Sequence, residues 1–125
     1  MKQMRRDQRQ AAHAYACVRE VPADQQDEYR IAVDTLGPAL LRTGLCAAFS
    51  FLQRRANTDA VQRLFKDLAN ADIPGLTVGD KEKPEVALPE RAWQLELEDY
   101  MLASRELLLV THWFKRAIQA TFKGD

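Results

Sequence analysis

The sequence predicts an all-α protein, a compact single-domain bundle of about five to six helices whose C-terminal helix is long and central. Three observations predict it. Apolar residues recur every three or four positions in one segment after another, the spacing of a core-facing helical stripe. No segment alternates apolar and polar residues with the β-branched enrichment of a strand. The stretch from Trp93 to Phe122 holds helical spacing through Trp93, Leu97, Tyr100, Ser104, Leu107, Thr111, Phe114, Ile118 and Phe122, which is about eight turns. Leu95, Leu102, Leu108, Leu109, Val110 and Trp113 widen that stripe, so its middle reads as a helix with neighbours all round it.

The other elements follow in order. Gln3 to Val21 sets Met4, Ala11 or Ala12, Tyr15 and Val18 on one side and arginines and glutamines on the other, an amphipathic helix. Val21-Pro22 ends it, because the residue before proline is pushed out of the helical region, and Asp24 is the expected N-cap of the next helix. Tyr29, Val33 and Leu36 form the second stripe. Gly37-Pro38 is expected to close that helix and open another, from about Pro38 to Ala56, since glycine suits a helix end and proline a first turn. This third helix, with Leu40, Leu41, Leu45, Ala47, Ala48, Phe49, Phe51 and Leu52, should pack directly against the C-terminal one. Gly44 inside it costs about 1 kcal/mol relative to alanine, so either another backbone comes close or the helix bends or restarts.

Asn57, Thr58 or Asp59 caps a fourth helix carrying Val61, Leu64, Phe65 and Leu68, which stops before Ile73-Pro74-Gly75. Residues 74–89 hold three prolines, two glycines and the charged run Asp80 to Lys83, and read as one long flexible loop. Its apolar residues Leu76, Val78 and Val86 are candidate subunit contacts. Pro89 suits the first turn of the long helix and Glu90 its positive end. Asp99 marks a point where that helix can break.

A chain of 125 residues makes one domain, spanning 1–125, that buries about two thirds of its unfolded surface. Cys17 and Cys46 are too few for a disulfide scaffold, and no basic, apolar, small-residue pattern marks export, so a cytoplasmic protein is expected. The longest apolar run, Leu107 to Val110, falls far short of the ~20 residues that cross a bilayer. Charge is balanced, with 18 basic and 18 acidic residues, so whole-chain electrostatics give no reason to expect nucleic acid. The distribution is less even. Residues 1–19 and 103–123 are basic and residues 80–99 hold most of the acid; these are either a basic and an acidic face or ordinary solvated helix surfaces.

Candidate chemistry is sparse. His13 and Cys17 share a helical face, but Cys46 and His112 stand alone and no CxxC or HxxxH pair exists, so no metal site is expected. No oxyanion-stabilising element is recognisable beside either cysteine. Glu85, Glu90, Glu96, Glu98 and Asp99 are candidates for metal or acid–base work, yet nothing sets two of them apart in environment; a solvated face or a dock for a basic partner fits them better. The glycines match no phosphate loop. The reading is no enzyme, no catalytic residue, no cofactor and no small-molecule substrate. Two basic sets remain: Arg105, Lys115 and Arg116, and then Arg42, Arg54 and Arg55, with Arg5, Arg6 and Arg9 near the N-terminus. Converging, they would track a nucleic-acid backbone without reading sequence. Alternatively, Arg105-Glu106 is an internal ion pair, and Lys115 and Arg116 complement a helix C-terminus.

Four stretches carry a resemblance. They are RDQRQAAHAYACVREV (Arg6 to Val21), EYRIAVDTLGPALLRTGLCAAFSFL (Glu28 to Leu52), Tyr100-(x)4-Arg105-Glu106-(x)6-Trp113-Phe114-Lys115-Arg116, and the AIQATF that follows. In order and spacing the chain resembles the small α-helical subunit family of the type III-B CRISPR effector, the fifth protein of the Cmr (RAMP module) complex. The resemblance implies a non-catalytic block whose copies stack head to tail as a filament beside other Cmr subunits. Its basic face would help hold the target RNA paired with the crRNA, while cleavage belongs to other subunits. RNA-contact roles are carried to Arg105, Lys115, Arg116 and Arg42, with Arg54 and Arg55 completing the candidate set. The chain departs from the family pattern in being net neutral, with acid before Tyr100. Competing readings are a protein spacer without RNA contact in this complex or the related type III-A (Csm) complex, and a metal-dependent nuclease built on the acidic run.

Overall fold

A computed structural model describes residues 5–122. Six α-helices follow one another: α1 (Arg6–Arg19), α2 (Gln26–Thr43), α3 (Leu45–Gln53), α4 (Asp59–Ala69), α5 (Pro84–Gln94) and α6 (Leu97–Thr121), with a short 3-10 turn at Ala23–Gln25 before α2. No strand occurs among the described residues. α6 lies against α1 and α2; α5 lies against α3 and α4; and α2 joins the two groups by packing on α3, α4 and α6.

α1 starts where the Arg5 amide donates to the Gln8 side chain at 2.8 Å, and ends before Pro22 as the proline rule requires. Its buried residues are Gln10, Ala14 and Val18, with Tyr15 only partly covered. Met4 lies outside the described residues. Asp24 falls inside the 3-10 turn and caps nothing.

The expected break at Gly37-Pro38 is not there. α2 runs through both residues, because Leu36 and Leu40 lie on the same buried face as Tyr29 and Val33 and a helix stop would take Leu40 off it. Pro38 is exposed, so the Asp34 carbonyl that it cannot bond is left to water. Gly37 has no Cβ to meet the proline ring, which relieves the clash that normally keeps a pre-proline residue out of the helix. The restart comes at Gly44 instead, at φ 87° and ψ 177°, a region open essentially to glycine alone. Its N–H closes α2 on the Leu40 carbonyl (3.2 Å) and its carbonyl opens α3 by accepting from Ala48 (3.0 Å). The Tyr100 hydroxyl accepts from the Cys46 amide at 3.0 Å, satisfying an N-terminal donor of α3 from α6.

In α4, Thr58 is the cap: its Oγ1 accepts from the Val61 amide at 3.3 Å. Val61, Leu64, Phe65 and Leu68 are all buried, and Phe65 meets Phe49 of α3 at 6.1 Å between ring centroids. The loop expected over 74–89 is shorter. Pro84, not Pro89, occupies the first turn of a helix, and Pro89 is buried inside it. The carbonyl that Pro89 leaves unbonded, that of Glu85, accepts from Gln53 Nε2 at 3.1 Å, so α3 repairs the defect in α5. Glu82 ties the loop down: it accepts from the Gly79 amide (2.8 Å) and pairs through both oxygens with Arg91 Nη2 (2.6 Å). Leu76 is buried, Val78 partly so, and only Val86 is exposed.

The long C-terminal helix is also two. Leu95 and Glu96 are extended between α5 and α6, four residues before the expected point at Asp99. Leu95 folds over Gly75 so closely that a Cβ on Gly75 would lie 3.0 Å from it. The stripe holds from Leu107 to Phe122, all five of its residues there being buried, but Trp93 and Leu97 are exposed and Tyr100 and Ser104 half-buried. The helix does not have neighbours all round, since Met101, Leu102 and Leu109 also face water.

Two substitutions test this account. Gly44→Ala is expected to cost about 1–3 kcal/mol in chemical denaturation, from backbone strain and crowding of the Tyr100 hydroxyl, 3.4 Å from the added carbon. Pro38→Ala, by restoring a helix hydrogen bond, should raise stability by ~1 kcal/mol; a helix that truly ended at Gly37 would show no gain.

Candidate nucleic-acid interface

The outward side of α6 carries Arg105, Leu109, His112 and Arg116 at spacings of four, three and four residues, all exposed. They form one strip, and at 1.5 Å per residue Arg105 and Arg116 are about 16 Å apart along it. The Arg116 guanidinium lies over the Trp113 ring, 5.2 Å from its centroid. Trp113 is half-buried, so the indole is a fixed platform that holds the arginine out from the helix. Lys115 is exposed on the flank of the strip, toward α2.

The other predicted cations scatter. A Cβ on Gly37 would meet Thr111 Cγ2 at 3.8 Å, and Gly44 lies beside Tyr100; α2 and α6 are therefore antiparallel, and Arg42 in the last turn of α2 belongs to the Arg105 end. Arg54 and Arg55 follow the last turn of α3, the end that meets Glu85 rather than Tyr100. α3 separates them from the strip. Arg6 is committed elsewhere: its Nη1 is 3.0 Å from Glu106 Oε1, which also accepts from Gln10 Nε2 at 3.1 Å. Glu106 is buried and thus joins α6 to α1 rather than pairing with Arg105. His112 entered the sequence reading only as a possible zinc ligand; its place seven residues from Arg105 and four from Arg116 was the signal for the strip.

A second buried polar group holds α1, α2 and α4 together. The Tyr29 hydroxyl donates to Asp67 Oδ2 at 2.6 Å, and His13 Nε2 reaches the Asp67 carbonyl at 2.7 Å, so His13 is not the free surface residue expected. Cys17 Sγ lies 3.4 Å from His13 Nε2. Burial holds the Asp67 carboxyl above the usual range, against the opposing hydrogen bonds of Tyr29 and Cys17 and the charges of Arg63 and His13. Burial, then the charge and hydrogen bond of Asp67, push the Cys17 thiol up to about 12. It stays protonated at neutral pH and is no nucleophile. Among the described residues no group of three or more histidines, cysteines and carboxylates could hold a metal ion, and no helix is long and apolar enough to cross a membrane.

With this geometry in place, the comparisons with known proteins are specific. Residues 6–121 match the family model described as CRISPR-associated protein (Cas_Cmr5). A protein of Thermus thermophilus, the CRISPR system Cmr subunit Cmr5, is 34% identical over 116 residues, covering 92% of this chain and 94% of that protein. The X-ray crystal structure of a CRISPR-associated Cmr5 family protein, also from Thermus thermophilus, superposes with a TM-score of 0.79 at 30% identity, over 96% of this chain and 100% of that one.

The Asp67 cluster makes a pH prediction. A carboxyl whose folded-state value lies above its unfolded one favours folding most below the unfolded value, and that share is lost as pH rises through the folded value. Tyr29→Phe removes a hydrogen bond that lowers it, so the carboxyl shifts further up. The variant should lose about 1–3 kcal/mol at pH 7.5, and the loss should shrink as urea titrations are taken to acid; a pH-independent loss would mean Asp67 does not sense Tyr29.

Proposed function

This chain belongs to the CRISPR-associated Cmr5 family, and from that premise we propose that it is a non-catalytic small subunit of a type III-B CRISPR (Cmr) effector that stacks in a filament and helps hold target RNA paired with crRNA. The observation that carries the RNA reading is the strip on α6. Arg105, Lys115 and Arg116 enter no ion pair among the described residues, and Glu106, the acid nearest in sequence, is turned inward to Arg6 and Gln10. The cations left outside are free to neutralise phosphates without reading bases.

A neutral chain offers few such contacts per copy, so the affinity comes from repetition: each further copy binds an RNA already held by its neighbour, at an effective concentration set by their spacing. Arg42 extends the strip at its Arg105 end. In this reading the chemistry of such a complex belongs to other subunits, and the Cys17 thiol beside His13 has a structural part.

A second reading, that of a protein spacer, is supported by the large apolar residues left exposed at the start of α6. The two separate cleanly. Arg105→Ala/Lys115→Ala/Arg116→Ala in the assembled complex should weaken RNA binding and flatten the plot of log affinity against log salt by about 2 for each copy engaged on the RNA, close to 0.7 per lost single-strand phosphate contact. If assembly fails instead, while RNA affinity and salt slope stay as they were, the spacer reading holds.

A further inference from the structure

Two surfaces of this chain complement each other, and neither is part of the α6 strip. The first is the elbow between α5 and α6. Trp93, Leu97 and Met101 are 60%, 73% and 58% exposed, and the exposed carboxylates Glu96, Glu98 and Asp99 lie among them, in no ion pair among the described residues. An exposed tryptophan and leucine on a rigid bend are what an interface anchor looks like. The elbow is rigid because Leu95 is folded over Gly75 and the Tyr100 hydroxyl is bonded to the Cys46 amide.

The second surface is a slot between α2 and α3. Ala32, Ala39 and Ala48 line its apolar floor, Phe51 forms one wall, and Arg55 stands at the mouth. Its enclosed space is about 10 Å³, far below the ~300–1,000 Å³ of small-molecule pockets, so it is a shallow apolar groove that anchor side chains lie against and no ligand pocket. Phe51 is 49% exposed, so this wall has no cover of its own. Arg55 gives the slot a basic edge, with Arg54 beside it in the chain, where the elbow has an acidic one.

We infer that the elbow of one copy docks into the slot of the next, with Leu97 and Trp93 seated against Phe51 and the carboxylates Glu96 and Glu98 facing Arg54 and Arg55. The inference rests on the stacking of copies proposed above and supplies the surfaces that stack. Elbow and slot are different parts of the molecule, so the contact is heterologous and leaves each joined pair one unused elbow at one end and one unused slot at the other; it propagates instead of closing into a two-fold dimer. It also reassigns Arg54 and Arg55 from RNA to protein, in keeping with their separation from the strip. The apolar centre supplies affinity, and the charged rims supply orientation and a salt dependence.

A charge exchange on the full chain, followed by sedimentation velocity at low salt, tests it. The wild type should associate with rising concentration. Glu96→Arg/Glu98→Arg, which makes the elbow basic, and Arg54→Glu/Arg55→Glu, which makes the slot acidic, should each sediment as monomers. Their equimolar mixture should associate again, because the basic elbow of one meets the acidic slot of the other while the unaltered elbow and slot still match; this recovery also shows that both variants fold. Trp93→Ala/Leu97→Ala should abolish association at every salt concentration. A mixture that stays monomeric, or a wild type that does, overturns the proposal. Either charge variant associating alone like the wild type overturns the surfaces while leaving stacking intact. In the RNA titration, the equimolar mixture, in which stacking is restored, should keep the wild-type salt slope; a flatter slope returns Arg54 and Arg55 to the RNA face and overturns their reassignment, whatever the result for Arg105, Lys115 and Arg116.

Discussion

The hydrogen bond from the Cys46 amide to the Tyr100 hydroxyl, made across the turn at Gly44, is the constraint on which the arrangement of the other helices depends. Gly44 reverses the chain within one residue, in a backbone region that side chains do not tolerate. That turn lays α3 back against α2. It also exposes N-terminal amides of α3, and Tyr100 bonds one of them from the third helix in the contact. α3 then carries Gln53 to the Glu85 carbonyl, which lets α5 keep a proline in its interior. One local reversal thus fixes how α5 and α6 meet, and hence the elbow between them.

Tyr100, Glu106 and Trp113, which all lie in one stretch of the family resemblance, have separate physical tasks. Tyr100 joins α6 to α3, Glu106 joins α6 to α1 through Arg6 and Gln10, and Trp113 supports Arg116. Two of them hold the helix in place, and the third shapes what it presents. A buried carboxylate held by an arginine and an amide contributes little net stability against an apolar alternative, but breaking it would leave an uncompensated charge in the core. Its value here is register, since the arginine that pairs with it sets where α1 lies along α6. Turning Glu106 inward also removes a negative charge from beside Arg105. A chain with equal numbers of acids and bases in this way acquires a basic strip and an acidic elbow at opposite ends of one helix.

The stripes of α2, α4 and the second half of α6 were legible because each is buried along one face, and a face repeats at helical spacing. Thr58 was legible as one of three caps. Gly37-Pro38 misled because local preference favours a stop there, while burial of Leu36 and Leu40 on one face outweighs the loss of one solvent-exposed hydrogen bond. Pro89 misled for a related reason: its orphan carbonyl finds a donor 32 residues earlier in the chain, which no local rule can supply. Trp93 and Leu97 kept the period of the stripe and yet face water, since periodicity records which residues share a face and not whether anything covers it.

The candidate site divides the same way. Sequence alone determined the helical class, the cations available on α6 and the family resemblance, because helix period, residue type and motif spacing are properties of the chain taken in order. Tertiary structure decided which cations lie together. It consumed Arg6 on Glu106, brought His112 into line with Arg105 and Arg116, and set Arg54 and Arg55 beyond α3. Those outcomes depend on which helix lies against which, and that in turn follows from burial and hydrogen bonds between residues far apart in the chain, from Gln10 with Glu106 to Tyr29 with Asp67.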